Sequence, residues 1–171
     1  MLTVGTYTRR GSEGIYRLDF DSDTGTLTHR GLLVPLRNCS FQALHPGGEW
    51  LYSVCLENES GAVAGVVLAD GRLLGTQSTI GPGPCHVAVD PTGRCLVSAN
   101  YRGGSVVVHP LAADGSVLPA SDFIQHEGTG PVTDRQEGPH AHSVNFDPSG
   151  RFAIAADLGA DRLMVYALNI P

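Results

Sequence analysis

The sequence predicts an all-β protein made of repeated four-stranded antiparallel units, the blade pattern of a β-propeller, and three observations carry that expectation. Asp-Pro-x-Gly-Arg followed by an apolar run occurs at residues 90–99 and 147–156, and a looser copy, His-Pro-Gly-Gly-Glu, opens residues 45–54. The copies begin at His45, Asp90 and Asp147, so the intervals are 45 (90 − 45) and 57 (147 − 90), and a Gly/Pro-rich insertion near residues 126–138 accounts for the longer one. A period near 45 with several short strand patterns per unit is the signature of propeller blades.

Each unit divides at turn-forming residues. In the third, strands are expected at 85–90, 94–100, 105–110 and 116–123, separated by Pro91-Thr92-Gly93, Arg102-Gly103-Gly104 and Ala113-Asp114-Gly115. Asp-Pro-x-Gly and Asp-Gly are strong turn signals between β-branched runs. The second unit repeats the pattern at 41–44, 50–55, 62–68 and 73–79. Lettering the strands a to d from the axis outward, the first unit shows only b, c and d at 2–7, 14–20 and 26–34, and the fourth only a, b and c at 142–146, 152–156 and 162–168. Blade 1 is therefore expected over residues 1–37, blade 2 over 38–80, blade 3 over 81–125 and blade 4 over 139–171, with 126–138 as a loop.

About three and a half blades do not close a ring, and an open arc exposes blade faces and strand edges. The expectation is a partial propeller that needs either a missing C-terminal half or self-association through its exposed blade edges.

Composition narrows the function. The 171 residues include 22 Gly and 11 Pro, suited to many turns, and the formal charge is −6. All eleven cations are Arg and they form no basic cluster, which argues against a nucleic-acid partner because phosphate neutralisation needs grouped cations. No apolar run reaches a membrane span, so no membrane association is expected. Cys39, Cys55, Cys85 and Cys95 lack C-x-x-C spacing and follow no secretory segment, which reads as reduced thiols in a cytoplasmic protein.

Strand direction then sorts the polar residues. With strand a running from an upper to a lower face, the Asp-Pro-x-Gly turns all lie below. The b–c turns (6–14, 55–61, 100–105 and 157–161) and the d–a connections (81–86 and 125–142) lie above, where Asn100, Tyr101, Arg102, Arg135, Asp157, Arg162, His86, His140 and His142 converge near the axis. Ser40, Cys85 and His142 are equivalent at successive a-strand starts, so His142 breaks the repeat at one point, where a grafted function is expected. Asp90 and Asp147 read as turn formers. Asp157 reads either as an acceptor linking blades or as a substrate ligand, and His86 either as an inner-strand histidine or as a substrate ligand. His140 and His142 lack a firmly placed third ligand, so neither a metal nor another cofactor is expected.

Four stretches carry a family resemblance: Gly5-Thr6-Tyr7-Thr8 with Gly14-Ile15-Tyr16, Ala99-Asn100-Tyr101-Arg102-Gly103-Gly104-Ser105, Arg135-Gln136-Glu137-Gly138-Pro139-His140-Ala141-His142, and Asp157-Leu158-Gly159-Ala160-Asp161-Arg162. Through them the chain resembles the lactonase family of seven-bladed β-propellers. The resemblance implies hydrolysis of a small sugar lactone, most plainly 6-phospho-D-glucono-1,5-lactone, by a His within 140–142 and without a metal. On that footing His142 is the expected base and His140 its orienting partner. Asn100 and Arg162 would meet developing negative charge, and Arg102 or Arg135 the phosphate, with Tyr101, Asp157 and His86 completing the substrate site. A non-catalytic sugar-binding or scaffold propeller and a muconate-type lactonising enzyme are the alternatives.

Overall fold

The computed structural model describes residues 1–58 and 60–169. Among the described residues, fourteen strands form four antiparallel sheets. The first holds β1 (Leu2–Val4), β2 (Gly14–Phe20) and β3 (Leu27–Pro35); the second β4 (Gln42–Leu44), β5 (Trp50–Glu57), β6 (Ser60–Val67) and β7 (Leu73–Ser78). The third holds β8 (Pro84–Val89), β9 (Cys95–Asn100), β10 (Ser105–Pro110) and β11 (Asp122–Gln125); the fourth β12 (Ala141–Phe146), β13 (Phe152–Asp157) and β14 (Arg162–Ala167). Each sheet is a meander, and β4, β8 and β12 pack side by side. This is the blade arrangement that the repeat predicts.

Strand alternation stacks the sheets. Along β5, Leu51 and Cys55 enter a core shared with Ile15 and Val34 of the first sheet, while Tyr52 and Val54 enter a second core with Val87 and Leu96 of the third. Along β9, Leu96 belongs to that second core, and Val97 and Ala99 to a third with Val144 and Ala153. Successive side chains point to opposite faces, so a sheet between two others must be apolar on both. The end sheets differ: on β14, Leu163 and Val165 are 69% and 62% exposed and form an uncovered apolar row.

Two expected strands shift, each for a local reason. The last strand of the third sheet is Asp122–Gln125 rather than 116–123, because Pro119 has no N–H to give a ladder. Residues ahead of it curl back instead, through a Leu111–Val117 bridge and a Leu118 N–H to Pro110 carbonyl bond of 2.9 Å. The first strand stops at Val4 because Gly5 lies so close to the Cys39 carbonyl that a Cβ would be 1.9 Å from its oxygen; a short 3₁₀ turn, Thr8–Arg10, follows.

The Asp-Pro-x-Gly phrase is a self-bonded turn. Asp90 is buried and accepts from the backbone N–H groups of Thr92 (2.9 Å), Arg94 (2.6 Å) and Cys95 (2.7 Å). Asp147 repeats the pattern with Ser149 (3.0 Å) and Phe152 (2.8 Å). In the looser copy, His45 Nδ1 takes the Gly47 N–H at 3.0 Å, so an imidazole replaces the carboxylate as acceptor. Gly48, Gly93 and Gly150 hold the same left-handed position, with φ of 77°, 73° and 68°, which favours glycine.

Burial would raise the Asp90 pKa, but the bonds from Thr92, Cys95 and Arg94 outweigh it and hold the carboxyl below its ordinary 3.8. Asp90→Ala strands these donors in a buried turn and is expected to cost about 2–3 kcal/mol in denaturant unfolding of the complete protein. Because the folded pKa is depressed, that contribution is present above the unfolded value and is lost as pH falls through the folded one. The gap between wild type and variant should therefore narrow as the solution is acidified below about pH 4.

Candidate functional site

The upper-face loops line a half-open cavity of about 850 Å³. Its wall is drawn from the β1–β2 connection (Tyr7, Arg9), the facing ends of β5 and β6 (Cys55, Leu56, Ser60), the β7–β8 connection with the start of β8 (Ile80 to Cys85), the β9–β10 turn (Tyr101, Arg102), and Arg135 and His142. No residue of the lower-face Asp90 or Asp147 turns contributes. Ser40, Cys85 and His142, the three equivalent a-strand starts, all face this space.

His142 is exposed at a β-bulge, because the β12–β13 register slips between Ala141 and Ser143. A bulge re-aims a side chain out of the alternation, and here it turns the imidazole toward the cavity. The ring makes no hydrogen bond among the described residues and meets Tyr101 edge-on, with ring centroids 5.4 Å apart. Tyr101 is the hub of this corner: His140 stacks on it at 4.6 Å and 11°, and Arg135 Nη2 donates to its hydroxyl at 3.1 Å. His140 Nδ1 lies 2.9 Å from the Tyr101 carbonyl. A carbonyl only accepts, so that nitrogen carries the proton, while Nε2 faces Glu137 at 3.4 Å. Both nitrogens of His140 are thus engaged, and it supports Tyr101 rather than opening onto the cavity.

Asp157 lies beneath this corner, buried and fully bonded. Its Oδ1 accepts the N–H groups of His140 and Ala160, each at 2.8 Å, and Oδ2 lies 2.6 Å from Nδ1 of the buried His126. The other nitrogen of His126 is 2.7 Å from the Tyr166 hydroxyl. Burial would raise the Asp157 pKa, but bonds from Ala160, His140 and His126 outweigh it and hold the carboxyl low. Asp157 therefore links the 126–140 loop to the fourth sheet and does not reach the cavity.

Asn100 occupies the equivalent position in the third sheet and does the equivalent job. It is fully buried, and its Nδ2 donates to the Thr79 carbonyl (2.9 Å) and the Ser105 hydroxyl (3.0 Å), pinning the loop that leads to Gly81. His86 stacks on Phe41 at 3.9 Å and receives the Val144 N–H at 3.4 Å, bridging β8 and β12. Burial and the neighbouring His142 push its pKa down to about 4, so it is neutral at physiological pH. Arg162 is exposed beside Gly128, away from the cavity wall. Of the nine expected site residues, the cavity gathers His142, Tyr101, Arg102 and Arg135; His140 backs them, and Asn100, Asp157, His86 and Arg162 lie elsewhere.

Burial disfavours the thiolate at two cysteines of the wall. Cys85 Sγ lies 3.4 Å from the His142 carbonyl, and burial pushes its pKa up to about 11; burial likewise pushes Cys55 up to about 12. Arg9 is a cavity residue that the family motifs did not single out, although it lies in the 6–14 turn, which strand direction assigns to the upper face.

The sequence profile of the family described as Lactonase, 7-bladed beta-propeller, matches residues 1–170. The chain belongs to this lactonase family. It is 38% identical over 170 residues to 6-phosphogluconolactonase of Bacillus subtilis, covering 97% of this chain and 48% of that protein. Among solved structures it resembles the Pseudomonas aeruginosa periplasmic gluconolactonase (31% identity, TM-score 0.85, 96% of this chain and 49% of that one). A Lactobacillus plantarum protein is similar at 36% identity and a TM-score of 0.89, over 98% of this chain and 48% of that one. The chain spans about half the length of these relatives.

For this lactonase-family chain, the Asp157 network yields a test. Asp157→Ala in the complete protein leaves His126 and two N–H groups without their acceptor and is expected to cost about 3 kcal/mol, the scale of a broken buried pair. Limited proteolysis should then cleave first within residues 126–140, whereas Arg162→Ala should leave both the stability and the cleavage pattern unchanged.

Proposed function

We propose that the complete protein hydrolyses a phosphorylated sugar lactone, 6-phospho-D-glucono-1,5-lactone, in carbohydrate metabolism, and that His142 is the base. The observation that carries this reading is the placement of one unbonded imidazole among arginines in the wall of an 850 Å³ cavity. The name of the Bacillus subtilis relative supports the substrate.

A lactone needs an activated water and stabilisation of the oxyanion formed at its carbonyl. His142 takes a proton from water as the oxygen bonds to the carbonyl carbon, giving a tetrahedral oxyanion. The bond from that carbon to the ring oxygen then breaks, His142 returns the proton to the departing oxygen, and the product is the open-chain hydroxy acid. Arg135, whose Nη2 donates to the hydroxyl of Tyr101, the ring that borders His142, is assigned to the oxyanion. Arg102, in the same wall on the β9–β10 turn, is left for the phosphate. Asn100 and Arg162 have no part in this scheme.

The cytoplasm suits the four free cysteines, although the Pseudomonas aeruginosa relative is described as periplasmic. No helix is long and apolar enough to cross a membrane among the described residues.

In the complete protein, His142→Asn is expected to lower kcat/KM for the phosphorylated lactone by about 100-fold or more, the scale of a lost general base, with little change in Tm because the ring is exposed and unbonded. Initial rates with spontaneous hydrolysis subtracted check this. Turnover near the wild-type level would remove His142 from the mechanism, and saturable binding without any wild-type turnover would favour a binding propeller.

A further inference from the structure

The described wall of the cavity is cationic in an acidic chain. The protein carries 17 Asp and Glu against 11 Arg, yet the described residues of the cavity wall include Arg9, Arg102 and Arg135 and no carboxylate. The three arginines come from three separate segments, the β1–β2 connection, the β9–β10 turn and the loop before β12. Grouping like charges around one space is unfavourable unless an anion shares it. Arg135 already has a partner in the Tyr101 hydroxyl and an electrostatic neighbour in Glu137. Arg9 and Arg102 have no ion pair among the described residues.

Arg9 is also held in place. Asn38, in a left-handed conformation (φ 50°), presents its Oδ1 to both the N–H and the hydroxyl of Thr8, at 3.1 and 3.2 Å, which fixes the short turn that carries Arg9. The guanidinium carbon lies 5.6 Å from the centre of the Tyr7 ring, within the range of a cation–π contact. Such a contact restrains the planar fork while leaving its N–H donors free for an oxyanion.

We propose that Arg9 and Arg102 form the subsite for the substrate's phosphate dianion, and that Arg9 is thereby a specificity-determining residue. The proposal rests on the reading of the cavity as a phosphorylated-lactone site, and it adds a ligand contributed by the first sheet. Arg9 binds the phosphate equally in ground and transition states, so its loss raises KM and leaves kcat in place.

The test uses the complete protein with Arg9→Ala and Arg9→Gln, both checked for an unchanged Tm. Rates are measured on 6-phosphogluconolactone and on unphosphorylated gluconolactone, and binding of 6-phosphogluconate and of gluconate by calorimetry. The expected result is a KM for the phosphorylated lactone about 10- to 100-fold higher, the range for a lost hydrogen bond to a charged group, with kcat within about twofold and gluconolactone kinetics unchanged. Equal losses on both lactones, or none on either, would overturn the subsite while leaving the lactonase reading in place. If wild type turns over neither lactone but Arg9→Ala still weakens 6-phosphogluconate and spares gluconate, the lactonase reading falls and the subsite stands. Unchanged 6-phosphogluconate binding in both variants overturns the subsite whatever the enzyme does.

Discussion

The acceptor capacity of one buried carboxylate holds the candidate site together. Asp157 ends β13 buried from solvent with four lone-pair directions, and it draws donors from three places: the N–H of its own turn at Ala160, the N–H of His140, and the ring of His126. His126 and His140 bracket the long connection between the third and fourth sheets, so one side chain closes both ends of that loop. Once His140 is placed, its ring lies flat on Tyr101, and Tyr101 in turn sets the position of Arg135 and borders His142. The chemistry proposed for the cavity thus depends on a residue that never touches it. Gly159 is part of the same constraint, since a Cβ there would lie 1.7 Å from the Gly138 carbonyl oxygen.

The same economy appears one sheet earlier, where Asn100 pins the Thr79–Gly81 segment as Asp157 pins 126–140. In the third and fourth sheets the ends of the second strands serve the architecture, and the starts of the first strands, Ser40, Cys85 and His142, line the cavity. The repeat separates these tasks by geometry: β-alternation sends apolar side chains into the cores on either side of each sheet, and strand direction sends half of the loops to the cavity face. A bulge then frees His142 from the alternation that would otherwise bury it or point it along the sheet.

Most of the fold was legible because it rests on local signals repeated in register. The Asp-Pro-x-Gly turns fix where strands end, the apolar runs fix where they lie, and strand direction assigns to one face Tyr101, Arg102, Arg135 and His142, which line one cavity. The final strand of the third sheet departs from the expected 116–123 because Pro119 interrupts that run. The site was less legible because hydrogen-bonding residues at equivalent positions look alike in sequence whether they bind a ligand or a loop. Asn100 and Asp157 sit in conspicuous motifs, but their burial follows from long-range packing that no local pattern states. Arg9 presents the reverse case: it lies in a plain turn, and only the closure of the first sheet against the second brings it to the cavity.

The most direct test of the account is a crystal structure of the complete protein with 6-phosphogluconate bound. The account predicts the phosphate between Arg9 and Arg102, and the carboxylate, which replaces the attacked lactone carbonyl, within about 3.5 Å of a His142 ring nitrogen. A ligand seated away from this cavity, or one whose carboxylate is turned from His142, would contradict it.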